Sequence, residues 1–196
     1  LGDIEWGPID KEAKSHTYAD GIELQREALL SRPGETTIVA TGPCTNLAEL
    51  IRRYPEALSA ARDVIVMGGS FFDCGNRGPQ AEFNIHSDSA AARMVLDYCR
   101  QLVPNGTRSF REQVPLSFVG LDVTHRTILS RTAIASAQSP VGELAARISA
   151  KYMSFYRTVM GTDGCPLHDP LAVALALHPE YCVREAATAG AQKGYQ

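Results

Sequence analysis

The sequence predicts an α/β fold with a mostly parallel sheet flanked by helices. Short β-branched or apolar segments, bounded by glycine, proline or polar residues, alternate along the chain with segments of helical periodicity. Parallel neighbours in a sheet need a crossover connection, and the intervening helices supply it. Ligands of such folds bind beyond the carboxyl ends of the strands, so residues that follow a strand are the first candidates for a site.

The first strand and the helix after it are predicted from local pattern. Residues 36–41 are rich in β-branched side chains, which is typical of a buried strand. Apolar residues then fall at i, i+3, i+4 and i+7 over residues 47–54, which predicts a helix. Asn46 with Glu49 is typical of a capping box, and Pro55 predicts a break.

Two more strands and two more helices follow. Residues 64–67 predict a strand that ends at a pair of glycines, and residues 116–121 predict another that ends in Asp122. A loop runs from the first of these to about Asn84, and helical spacing resumes after it at Ala91, Met94, Val95 and Tyr98. From Val141 onward helical spacing predicts the longest helix, with apolar residues at Leu144, Ala145, Ile148, Tyr152, Phe155, Tyr156 and Val159.

Polar segments begin where each of the three predicted strands ends. They are residues 41–46, 68–84 and 122–125. Because carboxyl ends of parallel strands meet at one edge, we expect these segments to converge on one crevice. No linker composition divides the chain, so we expect a single domain over residues 1–196.

Composition excludes several classes of function. Hydrophobic residues make up 44% of the chain, and 19 Lys and Arg against 22 Asp and Glu give a net charge of -3. Nucleic acid is not expected as a partner, because binding phosphates requires clustered basic residues. No apolar run approaches the roughly 18 residues that span a bilayer, so no membrane association is expected. Five dispersed cysteines without a C-x-x-C pair favour a reducing, cytoplasmic location.

Glu82 and Asn84 are candidates for binding hydroxyl groups. On an extended backbone these two side chains would point to the same side, with Phe83 on the other. A carboxylate acceptor beside an amide suits neighbouring hydroxyls, which each offer a donor and an acceptor. The alternative is a loop in which both side chains form hydrogen bonds with nearby backbone groups. The residues alone leave both interpretations open.

Two further acidic positions carry the same ambiguity. Asp169 precedes Pro170 and fits an N-cap, although a carboxylate beside the imidazole of His168 also suits metal binding and proton donation. Asp122 shares a face with Thr124, and here the pattern favours a loop cap.

Five segments, in this order and spacing, carry a resemblance. They are residues 40–48 (ATGPCTNLA), 66–69 (VMGG), 75–76 leading to 81–85 (GN, AEFNI), 120–125 (GLDVTH) and 167–174 (LHDPLAVA). Together they resemble the inosine-uridine-preferring nucleoside hydrolase family. The resemblance implies that water cleaves the N-glycosidic bond of a ribonucleoside, giving free base and ribose, in a homo-oligomeric enzyme of purine and pyrimidine salvage.

The resemblance also implies a calcium ion and a set of site residues. The backbone carbonyl of Thr41 and the carboxylate of Asp169 would bind Ca²⁺, which prefers oxygen ligands. His168 would contact the substrate and protonate the departing base, with Asp169 as its catalytic neighbour. The residues that would contact ribose are Met67, Asn76, Glu82 and Asn84.

One family feature is missing from the sequence. Family members begin with a strand that ends in an aspartate cluster of the type Asp-x-Asp-Pro-Gly-x-Asp-Asp, which supplies the other Ca²⁺ carboxylates and the general base. No Asp-Asp or Asp-x-Asp occurs in this chain. We therefore expect the family's first βα units and its C-terminal end to lie outside these 196 residues. The alternative function is a non-catalytic homologue that binds a nucleoside or ribose, or acts as an interaction partner.

Overall fold

The structure is a computed structural model that describes residues 20–101 and 115–185. These residues divide into two compact units. The larger, here called the sheet unit, contains residues up to Val123 and from His168 onward, and the smaller, the hairpin unit, contains Thr124–Leu167. The expectation of a single domain over residues 1–196 stays a prediction.

Helices and strands alternate along the described residues. In chain order they are α1 (Gly21–Ser31), β1 (Thr37–Ala40), α2 (Thr45–Arg53), α3 (Pro55–Ser59), β2 (Asp63–Met67), α4 (Phe83–Ser87), α5 (Ser89–Gln101), β3 (Leu116–Val119), α6 (Leu121–Thr124), β4 (Ile128–Ser130), α7 (Arg131–Ala135), α8 (Pro140–Met160), β5 (Gly164–Pro166) and α9 (Asp169–Leu177), followed by a 3₁₀ turn at Pro179–Tyr181.

The sheet unit is built on the three predicted strands. They pair in parallel in the order β1-β2-β3, with Val39 opposite Ile65 and Val66 opposite Phe118. The predicted parallel α/β arrangement is therefore confirmed. The third strand ends two residues earlier than predicted, because Leu121 begins α6.

Alternating side chains of β2 bury both faces of this sheet. Val64 and Val66 pack against residues of α1, α2, α3 and α5 on one face. Ile65 and Met67 pack on the other face against Ala172 and Leu175 of α9. Burial on both faces explains why β2 is a continuous apolar run, and it places the start of α9 in the same unit as the strand ends.

Some local predictions are wrong. Helix α2 begins at Thr45 with Cys44 as its N-cap, and no side chain caps it, so the capping box at Asn46 does not form. The predicted break at Pro55 is confirmed, since α2 ends at Arg53, and Pro55 opens α3, because proline suits the first turn of a helix, where its missing N–H costs nothing. Met94, predicted on the apolar face of α5, is 40% exposed, whereas Ala91 and Val95 on the same helix are buried.

The hairpin unit pairs two strands that the sequence pattern does not predict. Strands β4 and β5 are antiparallel, and Ile134, Met153 and Cys165 form the core beside them. The predicted long helix is confirmed as α8, capped by Ser139 and ended by Gly161 at φ +68°. Much of its apolar stripe is exposed, including Val141, Leu144, Ile148, Phe155 and Val159.

Candidate functional site

The carboxyl ends of β1 and β2 are joined by one buried side chain. Asn84, in the first turn of α4, donates from Nδ2 to the carbonyl of Met67 at 3.1 Å and to that of Thr41 at 3.5 Å. Residues 41–46 and 68–84 therefore meet at one edge of the sheet unit, as predicted. Because the amide N–H groups of Asn84 face these carbonyls, its Oδ1 is the atom left to act as an acceptor.

Glu82 is a buried carboxylate that accepts three backbone hydrogen bonds. It is 3% exposed and caps α4, where Oε1 accepts from the N–H of Asn84 at 2.9 Å and Oε2 from that of Ile85 at 3.0 Å. Oε2 also accepts from the N–H of Gly69 at 3.1 Å, which ties α4 to the end of β2. A carboxylate offers about four lone-pair sites, so Oε1 can accept one more hydrogen bond.

The predicted extended backbone over residues 82–84 forms only in part. Glu82 is extended at φ −91° and ψ 147°, but Phe83 already begins α4. The N-cap explains the difference, because a cap residue is non-helical while the next residue is helical. Glu82 and Asn84 are nevertheless both buried, and Phe83 is exposed, so the two polar side chains are still separated from the aromatic ring.

Asn76 and Met67 both contact the first turn of α4. Asn76 is exposed, and its Oδ1 accepts from the N–H of Phe83 at 2.8 Å, which places it at the start of α4. Met67 is buried at the end of β2, where its sulfur lies 3.4 Å from Nδ2 of Asn84. That these two residues line a sugar pocket stays a prediction.

The start of α9 presents Asp169 without a capping role. His168 is the N-cap, Asp169 is the first helical residue, and no side chain caps the helix. The interpretation of Asp169 as an N-cap is therefore wrong, because the N-cap position falls one residue earlier, at His168. Asp169 is an exposed residue, but partial desolvation of its carboxyl group, and then the negative charge of Glu82, raise the pKa of Asp169. Two carboxylates thus interact at the edge where the strands end.

The raised pKa of Asp169 predicts a stability effect. Ionised Asp169 is disfavoured by the fold, so its stabilising contribution is present below the unfolded value of about 3.9 and is lost as pH rises through the higher folded pKa. Because Asp169→Asn stays neutral, we expect its melting temperature to exceed that of the wild type near neutral pH, with the difference shrinking in acid.

Thermal melting across a pH series measures this effect. Asp163→Asn is the control, because Asp163 is an exposed aspartate that pairs with Arg131 in the hairpin unit. A lower melting temperature for Asp169→Asn near neutral pH would contradict the prediction, and would show instead that the carboxylate stabilises the positive end of the α9 dipole.

Asp122 is the loop cap that the sequence favoured. Its Oδ2 accepts from the N–H of Phe71 at 2.9 Å, and its Oδ1 accepts from those of Phe72 and Asp73 at 2.7 and 2.6 Å. Burial alone would raise the pKa of Asp122, but these backbone N–H groups, with its own, outweigh burial and lower it. Thr124, which the sequence placed on the same face, lies in the hairpin unit.

The described residues do not form a complete calcium site. They contain no group of three or more His, Cys, Asp or Glu side chains that could hold a metal ion. Of the two predicted ligands, the carbonyl of Thr41 already lies 3.5 Å from an amide donor, and Asp169 brings one carboxylate. Because Ca²⁺ takes six to eight oxygens, residues 20–101 and 115–185 alone do not fit a complete site.

Comparison with known proteins decides the family. The family model described as inosine-uridine preferring nucleoside hydrolase matches residues 1–194. The chain belongs to this nucleoside hydrolase family. Its nucleoside hydrolase fold and the family resemblance of its sequence are thereby confirmed.

Curated and solved relatives agree with this assignment. The chain is 35% identical over 163 residues to the pyrimidine-specific ribonucleoside hydrolase RihA of Klebsiella pneumoniae, covering 81% of this chain and 48% of that protein. A purine-preferring ribonucleoside hydrolase from Gardnerella vaginalis superposes with a TM-score of 0.72 at 27% identity, over 84% of this chain and 49% of the other. A plant nucleoside hydrolase gives a TM-score of 0.71 at 27% identity, over 90% and 50%.

This nucleoside hydrolase family member spans about half the length of the relatives it matches. Among its described residues, no helix is both long and apolar enough to cross a membrane.

Proposed function

We propose that this chain carries the sugar-binding and leaving-group side of a ribonucleoside N-ribohydrolase site. The observation that supports it most is the meeting of Glu82, Asn84 and Asp169 at the carboxyl edge of the sheet unit. Glu82 accepts a ribose hydroxyl through the remaining lone pair of Oε1, and Asn84 accepts another through Oδ1. Met67 and Asn76 line the sugar pocket beside them.

The reaction breaks the bond between ribose C1′ and the base nitrogen. The electron pair leaves with the base, a water oxygen bonds to C1′, and one water proton is released. Carboxylates near the sugar stabilise the positive charge that develops on the ring. His168 donates a proton to the departing base, since it lies directly before Asp169, whose carboxyl group feels the charge of Glu82.

In this proposal, the described residues provide only some of the oxygen ligands of a calcium ion. Thr41 and Asp169 would each give one oxygen, and the remaining ligands must come from outside the described residues. A homo-oligomeric, cytoplasmic protein remains our expectation. The exposed apolar stripe of α8 supports association, because large exposed apolar surfaces mark interfaces.

The second candidate is a non-catalytic homologue that binds a nucleoside or ribose. The lack of a metal-binding group among residues 20–101 and 115–185 favours it. Turnover by the chain joined to an aspartate-cluster segment separates the two candidates, whereas sugar binding through Glu82 is common to both.

Glu82→Gln tests the sugar-binding edge. We expect inosine affinity to fall about 10- to 100-fold, because losing a hydrogen bond to a charged group costs about 1.5–3 kcal/mol. Calorimetric titration of the chain with inosine, repeated with its 2′-deoxy and 3′-deoxy analogues, identifies the hydroxyl involved. The analogue that lacks the contacted hydroxyl should bind both proteins equally.

Asp88→Asn is the matched control for this test. Asp88 accepts from the N–H of Ala91 at 3.0 Å and from the hydroxyl of Thr45 at 2.6 Å, so it has a comparable structural role in the same unit. We expect this variant to lose stability while keeping its inosine affinity. Equal affinity in both variants, with a lowered melting temperature, would assign Glu82 to the helix cap alone.

A further inference from the structure

The loop after β2 is attached to the end of β3. The N–H of Gly68 donates to the carbonyl of Val119 at 3.2 Å, and the N–H of Leu121 donates to the carbonyl of Gly69 at 2.9 Å. The first residues beyond Met67 are therefore held by the junction between β3 and α6.

This junction has no spare room. A Cβ atom at Gly120 would lie 2.9 Å from Oδ2 of Asp122 and 3.0 Å from the carbonyl oxygen of Gly69. Gly69 itself has φ +90°, a conformation that other residues adopt only with strain. The backbone of Gly69 and the carboxylate of Asp122 are thus fixed against each other across Gly120.

Gly69 also binds the carboxylate of Glu82, the proposed sugar-binding group. Gly69 donates its N–H to Oε2 of Glu82, and the next stretch of loop donates three N–H groups to Asp122. Displacement of residues 71–73 would therefore move Gly69 and release one of the three bonds that orient Glu82.

We propose that Asp122 is a positioning residue for Glu82, acting through Gly69, so that Oε1 of Glu82 is left to face the ribose. This inference rests on the proposed function of Glu82. An ionised aspartate suits the position because both of its oxygens accept and neither carries a proton. Asparagine would offer one acceptor oxygen and would direct an NH₂ group at backbone N–H donors.

A double-mutant cycle of Asp122→Asn and Glu82→Gln tests this proposal in the full chain. We expect Asp122→Asn to weaken inosine binding about tenfold in the wild-type background and to have little further effect once Glu82 is Gln, since coupled residues are non-additive. Gly120→Ala keeps the carboxylate of Asp122, but its Cβ would crowd Oδ2 of Asp122 and the carbonyl oxygen of Gly69. It should therefore also weaken inosine binding, even if Asp122→Asn folds poorly. Asp88→Asn is again the control.

Backbone amide NMR spectra supply the readout that a local structural role would not change. We expect Asp122→Asn and Gly120→Ala to shift the amide resonances of Asn84 and Ile85, which donate to Glu82 from the first turn of α4. Shifts confined to residues 69–73 and 120–122, or additive losses of affinity, would overturn the proposal. If the wild-type chain binds no inosine, the proposed function fails, and the Asn84 and Ile85 shifts alone decide whether Asp122 positions Glu82.

Discussion

The purified 196-residue chain is expected to hydrolyse inosine and uridine at no appreciable rate. Among the described residues, the proposed calcium ligands are one carboxylate, Asp169, and the carbonyl of Thr41, so Ca²⁺ affinity should be weak. The chain also contains no Asp-Asp or Asp-x-Asp to supply the general base that the family resemblance implies, and lack of a general base costs about 10²–10⁴-fold in rate by itself. The two losses reinforce each other, because the base and the metal act on the same water.

Calorimetry with Ca²⁺ and assays of inosine and uridine cleavage measure this directly. The comparison is the same chain fused to an aspartate-cluster segment from a family relative, in which both Ca²⁺ binding and turnover should appear. Asp169→Asn in the fusion is the control, because it should abolish the gain. Micromolar Ca²⁺ binding with clear turnover by the short chain would contradict this prediction, and would show that other carboxylates have taken the missing roles.

In an active fusion of this kind, His168→Ala should slow cleavage of inosine and uridine by about 10²–10⁴-fold, the usual contribution of a general acid. The natural base leaves poorly without a proton. The loss of His168 should have little effect on cleavage of p-nitrophenyl riboside, because p-nitrophenolate departs without protonation.

The selectivity between substrates is what identifies a proton donor. His178→Ala is the matched control, because His178 lies at the other end of α9, where it pairs with Glu180 and stacks on Tyr181. That variant should retain both activities. Equal losses on the natural and the activated substrate would contradict the role of His168, and would assign the residue to the N-cap geometry of α9.

The sheet could be predicted because its signals are local. Residues 38–40 and 64–67 are apolar and mostly β-branched, and both strands form within a residue of the predicted bounds. The short hairpin of β4 and β5 escaped prediction, since three residues in each strand are too few to show alternation. Periodicity also identified α8 without indicating that Phe155 and Val159 would be exposed, because a pattern shows which face is apolar and not what covers it.

The sequence predicted which segments lie at the carboxyl ends of the strands, but not the hydrogen bonds that connect them. Asn84 and Thr41 follow from the rule that strand ends carry ligands, whereas their mutual hydrogen bond depends on a helix start that the loop composition conceals. The sequence favoured a loop cap at Asp122, but nothing in it identifies residues 71–73 as the donors. Nearly every residue has a backbone N–H, so residue types do not show which of these groups bind a carboxylate.

The distance along the chain between Asp122 and its partners has a kinetic consequence. The three amides that it binds lie 49, 50 and 51 residues earlier, so these amides can bind the carboxylate of Asp122 only once β3 has joined the sheet. Closing such a large loop is entropically costly, and contacts of this range form late in folding. During synthesis, β1 and β2 can therefore pair before the loop after β2 is fixed, and Asp169 joins this edge still later.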